Sequence, residues 1–246
     1  MSVSSFLFSK KHYTTAIILA GGSGTRMGGD NTKQFIDLAG VPVIARTIEA
    51  FQRCDMISEI VIVAKNDEIP LYQELIEKHD FDKVQKVVKG GSTRQSSALK
   101  GFEAASDKTR FVAIHDGARP LVTVDVIERV VSQAYLSHAS IAAVACKDTP
   151  KVVDPISKKI EPREKQIERD RLMLAQTPQV FYAELYRCAA YYAREKGFEA
   201  TDDASLAEFS GFEVKYAQGS YENIKITTPE DLIFAEAILK SRKADF

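Results

Sequence analysis

The densest concentration of chemically useful residues is Leu19-Ala20-Gly21-Gly22-Ser23-Gly24-Thr25-Arg26-Met27, a glycine-rich turn straight after an apolar run, followed by Lys33. Glycines let successive backbone N–H groups converge on anionic oxygens, and two flanking cations suit a group with several negative charges, such as a nucleotide triphosphate. An ordinary strand-to-helix turn explains the glycines equally well, but not the flanking Arg26 and Lys33. Two commoner phosphate motifs fail on spacing. No Lys follows Gly24 as a Walker loop requires, and Gly22-x-Gly24-x-x-Met27 lacks the last glycine of the dinucleotide fingerprint, which disfavours a dehydrogenase.

A second constellation is His115-Asp116-Gly117-Ala118-Arg119-Pro120, at the end of the apolar run Phe111 to Ile114. In open α/β sheets ligands lie outside the carboxyl ends of strands, so Asp116 and Arg119 are expected to face the same crevice as the glycine turn. A carboxylate there suits a divalent cation such as Mg²⁺, or a substrate hydroxyl; turn capping is the plainer alternative. His115 reads as a structural strand-end residue. Lys225, inside the apolar stretch Ile224 to Thr227, needs an anionic partner to offset its desolvation. Gly90-Gly91-Ser92-Thr93-Arg94, Asp148-Thr149, Arg171 and Thr201-Asp202-Asp203 each read singly as caps, turns or solvated charges.

Stepping outward, short strand-like runs recur at Ala16 to Ala20, Glu59 to Lys65, Val84 to Lys89, Phe111 to Asp116 and Ile141 to Lys147. Helical stripes lie between them, for example Ile44, Ile48 and Phe51, or Ala98, Phe102 and Ala105. That alternation predicts an α/β fold, a Rossmann-like, mostly parallel sheet with helices on both faces. The segment 148–171 breaks the rhythm with Pro150, Pro155 and Pro162 and much charge, and is expected to leave the core as a β-hairpin arm. Beyond it the pattern predicts a helix over Gln179 to Lys196, another over Asp202 to Phe209, a strand over Glu222 to Thr227 and a last helix opened by Thr228-Pro229-Glu230-Asp231.

With 246 residues, 45% of them hydrophobic, the chain can bury one substantial core, read as residues 15–242 after an N-terminal extension at 1–14. Its 33 basic and 34 acidic residues give a formal charge of −1, which argues against a nucleic-acid surface built on phosphate contacts. Three scattered cysteines, Cys54, Cys146 and Cys188, suggest neither a disulfide framework nor a zinc site and fit a cytoplasmic protein. No stretch approaches the ~20 apolar residues of a membrane helix.

Taken in order, these segments resemble the cytidylyltransferase family of the methylerythritol phosphate route to isoprenoids, from about Ala16 to Leu239. The motifs that carry the resemblance are the glycine turn with Lys33-Gln34-Phe35, His115 to Pro120, Thr177-Pro178-Gln179, Thr201-Asp202-Asp203-Ala204-Ser205 and Asn223-Ile224-Lys225-Ile226-Thr227. The resemblance implies transfer of cytidylyl from CTP to 2-C-methyl-D-erythritol 4-phosphate. It implies that Arg26, Lys33 and Lys225 meet the CTP phosphates and transition state, with Ala20, Gly21, Gly22 and Gly24 in the nucleotide loop and Gly91 and Ser97 near the cytosine. It further implies that Asp116, Arg119, Thr149, Arg171 and Thr201 hold the polyol phosphate, Thr149 and Arg171 reaching across from the arm of a partner in a homodimer. Two departures, Thr32 where the family has Pro and the Gly21-Gly22 pair where it commonly has Ala-Gly, also occur in ribitol 5-phosphate cytidylyltransferases. Ribitol 5-phosphate is therefore the alternative acceptor, and a non-catalytic nucleotide-binding protein the remaining reading.

Overall fold

The computed structural model describes residues 12–22 and 33–244, with the backbone alone at Lys33, Lys243 and Ala244. Its main sheet has seven strands, β1 (Thr14–Leu19), β4 (Glu59–Ala64), β5 (Val84–Lys89), β6 (Phe111–Asp116), β7 (Ala139–Ala145), β8 (Met173–Tyr182) and β9 (Lys215–Gln218). They lie in the order β5-β4-β1-β6-β8-β7-β9. Only β8 runs against its neighbours, β6 and β7. A separate short ladder joins β2 (Asp37–Leu38) to β3 (Val41–Pro42).

The strands β1, β4 and β6 are apolar almost throughout because both faces of the sheet are covered. Successive side chains alternate between two cores. Ala16, Ile18, Ile60, Ile62 and Ala113 meet α1 (Val43–Arg53), α2 (Ile69–Lys78) and α4 (Val124–Ser137). Ile17, Val61, Val63, Val112 and Ile114 meet α3 (Arg94–Ala104), α5 (Ala183–Glu195) and α6 (Asp203–Phe209). The final helix, α7 (Pro229–Ala244), covers a smaller cluster of Leu38, Val43, Leu121 and Ile226. Its first turn is closed by Asp231, whose carboxylate accepts from the Thr227 and Thr228 N–H groups at 2.7 and 2.8 Å.

One helix sits unusually close to the sheet. A Cβ on Gly101 in α3 would meet Ile17 Cγ2 and, at 2.6 Å, Val63 Cγ2. Ala is the better helix former by about 1 kcal/mol, yet overpacking a filled core costs about 1–3 kcal/mol, so the steric term wins. Gly101→Ala is therefore expected to destabilise the protein in urea titration; a gain in midpoint would mean that α3 stands further from the sheet than described.

Two expectations need correction. Gln179 to Tyr182 belongs to β8, and the helix starts only at Ala183. Tertiary pairing overrides the helical pattern here, because Phe111 to Ile114 of β6 takes Gln179 to Tyr182 as its antiparallel partner. Glu222 to Thr227 is not a strand but an extended segment, fixed by Ile226 N–H donating to Ala118 O at 2.8 Å and by Ile226 packing beneath α7. The segment 148–171 does contain the expected hairpin, short and closed by Glu161 N–H donating to Val152 O and Asp154 N–H to Lys159 O, both at 2.9 Å. It has one bridge, Val153 with Ile160, a turn in which Asp154 Oδ1 accepts from Ile156 N–H at 2.9 Å, and short 3-10 turns at Arg163–Lys165 and Arg169–Arg171. The Gln166 side chain pins it, donating to Val152 O and Glu161 O and accepting from Val152 N–H.

Candidate active site

The strand order reverses direction at β1: β4 and β5 lie on one side and β6 on the other. Such a switch point opens a crevice at the carboxyl ends of the strands. Leu19, last in β1, is paired with Asp116, last in β6. Ala20 N–H donates to Val63 O at 2.8 Å and Gly117 N–H to Leu19 O at 2.8 Å, so the start of the glycine turn and the Asp116 loop leave the sheet side by side. Gly117 has no room for a side chain, since a Cβ there would lie 2.8 Å from Ile44 Cδ1 and 3.0 Å from Leu19 O. Thr47 in α1 locks the same loop by donating to Gly117 O at 2.9 Å.

Asp116 is buried, and three cations converge on it. Lys225 Nζ lies 2.9 Å from Oδ2, Arg94 Nε 3.3 Å from Oδ1 and Arg119 Nε 3.7 Å from Oδ2. Burial alone would raise the pKa of this carboxyl; Arg94, Lys225 and Arg119 outweigh it and hold the group well below the usual carboxylate range. Arg94 also reaches the buried Asp203, with Nη1 2.6 Å from Oδ2. Burial depresses the Arg94 guanidinium, but Asp203 and Asp116 more than compensate and it stays charged. Asp203 itself is raised by burial, with Arg94 pulling the other way.

The extended segment carrying Lys225 is fastened on the same side. Arg119 Nη1 donates to Asn223 O at 2.6 Å, and Asn223 Nδ2 donates to Thr177 O at 2.8 Å. Thr177 Oγ1 accepts from Asp116 N–H at 3.1 Å and lies 3.0 Å from His115 Nδ1. Burial pushes the His115 imidazole down to about 3, so it is neutral at working pH. With Thr177 donating to Nδ1, the Nε2–H points at Arg119 O, 3.4 Å away. His115 is thus a structural strut, as its strand-end position predicts. Gln34 Oε1, Arg119 Nε and Asn223 Oδ1 are buried without hydrogen-bond partners among the described residues.

Several predicted residues lie near but apart from this cluster. Gly91 N–H donates to Ser97 Oγ at 3.0 Å beside the start of α3, and Gly90 N–H to Ala64 O at 2.9 Å, which sets that loop at the carboxyl ends of β4 and β5. Gly21 and Gly22 are exposed. Thr149, Arg171 and Thr201 are exposed too, and no hydrogen bond or ion pair among the described residues joins them to Asp116. Gly24, Arg26 and the Lys33 side chain lie outside the described residues.

The model of the 2-C-methyl-D-erythritol 4-phosphate cytidylyltransferase family matches residues 14–241. The chain belongs to that family. It is therefore a cytidylyltransferase, an enzyme of the nucleotidyltransferase class in isoprenoid synthesis. The 2-C-methyl-D-erythritol 4-phosphate cytidylyltransferase of Alkaliphilus oremlandii is 45% identical over 231 residues, covering 94% of this chain and 96% of its own. That of Geobacter metallireducens is 41% identical over 231 residues, covering 92% and 97%. Among solved structures, the 4-diphosphocytidyl-2C-methyl-D-erythritol synthase of Anaerococcus prevotii superposes with a TM-score of 0.82 at 31% identity, covering 94% of this chain and 100% of that one. The 2-C-methyl-D-erythritol 4-phosphate cytidylyltransferase of Thermus thermophilus gives 0.75 at 29% identity, covering 93% and 99%.

Within this family member, the expected metal role of Asp116 does not fit the geometry. Both its oxygens already face cations, and no group of three or more acidic, His or Cys side chains able to hold a metal occurs among the described residues. A carboxylate so neutralised has little charge left for a divalent ion. Sequence reasoning also left Arg94, Thr177 and Asp203 without roles. Each sits in a quoted motif, but their partners lie far along the chain, Arg94 and Asp203 being 109 positions apart.

Proposed function

We propose that the crevice binds CTP and 2-C-methyl-D-erythritol 4-phosphate side by side and joins them, giving 4-diphosphocytidyl-2-C-methyl-D-erythritol and pyrophosphate. The observation that carries this assignment to the crevice is the cation-ringed Asp116, with Lys225 at 2.9 Å, set against the start of the glycine turn. An acceptor phosphate oxygen bonds to the α-phosphorus of CTP while the bond from that phosphorus to the bridging oxygen breaks, and pyrophosphate leaves. The second pKa of a phosphomonoester is near ~6, so the nucleophile is already ionised at neutral pH and needs no side-chain base. A neutral, buried His115 agrees with that.

In this reading Ala20, Gly21, Gly22 and Gly24 cradle the triphosphate, while Gly91 and Ser97 flank the cytosine. Arg26, Lys33 and Lys225 oppose the charge that builds on the α-phosphate and leaving group. Asp116, Arg119 and Thr201 hold the acceptor. Lys225 is 41% exposed along its side chain and can leave Asp116 for a phosphate oxygen, because Arg94 and Arg119 remain on the carboxylate. Mg²⁺ belongs to this reading as a companion of the triphosphate, where it would offset phosphate charge, and not as an ion on Asp116.

A pyrophosphate-release assay crossing four nucleoside triphosphates with methylerythritol 4-phosphate and ribitol 5-phosphate tests the assignment. Release is expected only with CTP and to be fastest with the methylerythritol acceptor. Faster turnover with ribitol 5-phosphate would replace the acceptor; release without any acceptor would overturn the transfer.

The arm of residues 148–171 supports a homodimer, and a cytoplasmic location belongs to the same reading. It displays Val153, Ile160 and Ile167, with Ile156 at 92% exposure, an apolar set suited to burial against a second copy. Thr149 and Arg171 then serve the partner's acceptor site. Arg171→Ala is expected to raise the KM for the acceptor, and mixing it with Lys225→Ala chains should restore activity through heterodimers that hold one intact site. No recovery on mixing, or a fully active monomer in sedimentation, contradicts action across the interface.

A further inference from the structure

Arg94 is the cation that joins two carboxylates. It is the first residue of α3, directly after its N-cap, Thr93, whose hydroxyl accepts from Ser96 N–H at 3.0 Å while Ser96 Oγ accepts from Thr93 N–H at 2.9 Å. That reciprocal box fixes the turn that also presents Gly91 and Ser97. From there the guanidinium spans two carboxylates, Nε on Asp116 and Nη1 on Asp203.

Asp203 is not free to follow Arg94 if it moves. Its side chain is fully buried, Tyr186 donates to Oδ1 at 3.2 Å, and its N–H donates to Gln179 Oε1 at 2.9 Å. Gln179 also accepts from Ala204 N–H at 3.0 Å and donates to Asp202 Oδ2 at 2.8 Å, so α6 hangs from β8 by one side chain. Gln179 in turn is paired with Ile114, two positions before Asp116. The links close a ring from β6 through β8, α6 and Arg94 back to Asp116. Only a planar, forked cation bridges two carboxylates in fixed geometry; a lysine presents a single point charge.

On the assignment of the crevice made above, we infer that Arg94 is a positioning residue: anchored on Asp203, it holds Asp116 in place for the acceptor when Lys225 is drawn to phosphate, while the Thr93–Ser96 box holds the Gly91–Ser97 turn without it. Arg94 acts through Asp116 and Asp203, so its loss should fall on the acceptor rather than on CTP. Misplacing a binding group by about 1 Å typically costs about a hundredfold, the loss expected in kcat/KM for the acceptor in Arg94→Ala. The KM for CTP should be unchanged, Arg94→Lys should be no better than the Ala variant, and added guanidinium, unlike methylammonium, should restore turnover.

Steady-state kinetics of wild type, both variants and Asp203→Asn, each with its melting temperature, decide the matter. If wild type transfers cytidylyl to methylerythritol 4-phosphate and Lys225→Ala does not, the site assignment stands and the variants test Arg94 alone. A wild-type-like Arg94→Lys enzyme, or equal losses for CTP and acceptor that track the melting temperature and ignore guanidinium, would overturn the inference. Should the Arg94 variants not fold, Asp203→Asn, which keeps the Tyr186 bond, must by itself raise the acceptor KM and leave that for CTP unchanged; unchanged acceptor kinetics there would overturn it equally.

Discussion

Lys225→Ala is expected to lower kcat by about 3–4 kcal/mol of transition-state stabilisation, a few hundredfold in rate, the usual cost of removing one electrostatic donor. Its effect on stability should be small. The side chain is 41% exposed, and without it Asp116 keeps both Arg94 and Arg119. Single-turnover cytidylyl transfer at saturating CTP and acceptor, set beside a urea titration, separates the two effects. Near wild-type turnover in a folded Lys225→Ala protein would remove this lysine from the chemistry.

Asp116→Ala should behave in the opposite way, failing first in stability. Removing the carboxylate leaves Arg94, Arg119 and Lys225 crowded together, and breaking a buried ion pair costs about 3–5 kcal/mol. We expect the lower end, about 3 kcal/mol, because Lys225 can turn to water. Turnover should vanish as well, through loss of the acceptor contact. The pH dependence follows from the lowered pKa: the contribution of Asp116 is fully present above the ordinary carboxylate range and is lost only as pH falls through its depressed value. Equilibrium unfolding of wild type and variant from pH 7 down to acid should therefore converge only in strong acid. Curves that converge near pH 5 would show that the cations do not hold this carboxylate ionised.

Much of this arrangement is legible in the chain because the physics behind it is local. Strands buried on both faces appear as unbroken apolar runs, so the parallel core at Ile17, Val61 and Ile114 stands out at once. An aspartate at a strand end, and a lysine embedded in Ile224 to Thr227, are chemically odd where they stand, and the oddness finds its cause in their 2.9 Å contact. β8 is hidden because Pro178 argues against a central strand. It fits there because the register with β7 shifts between Ile141 and Ala143, relaxing the ladder beside it. The segment around Ile226 misleads for the converse reason: its apolar residues pack under α7 and not into a sheet. Arg94 is the hardest to see. An arginine after a glycine turn looks solvated, and nothing local to it announces a buried aspartate on another helix.

The central claim is that the glycine turn and Lys225 close on one triphosphate at the mouth of the Asp116 crevice. A crystal structure with a non-hydrolysable CTP analogue and methylerythritol 4-phosphate tests it most directly. The account predicts the N–H groups of Gly21 and Gly22 and the Lys225 ammonium on oxygens of the same triphosphate, with Lys225 drawn off Asp116 and the acceptor phosphate in line with the α-phosphorus. A nucleotide bound elsewhere, or Lys225 still on Asp116 beside a bound triphosphate, would contradict it.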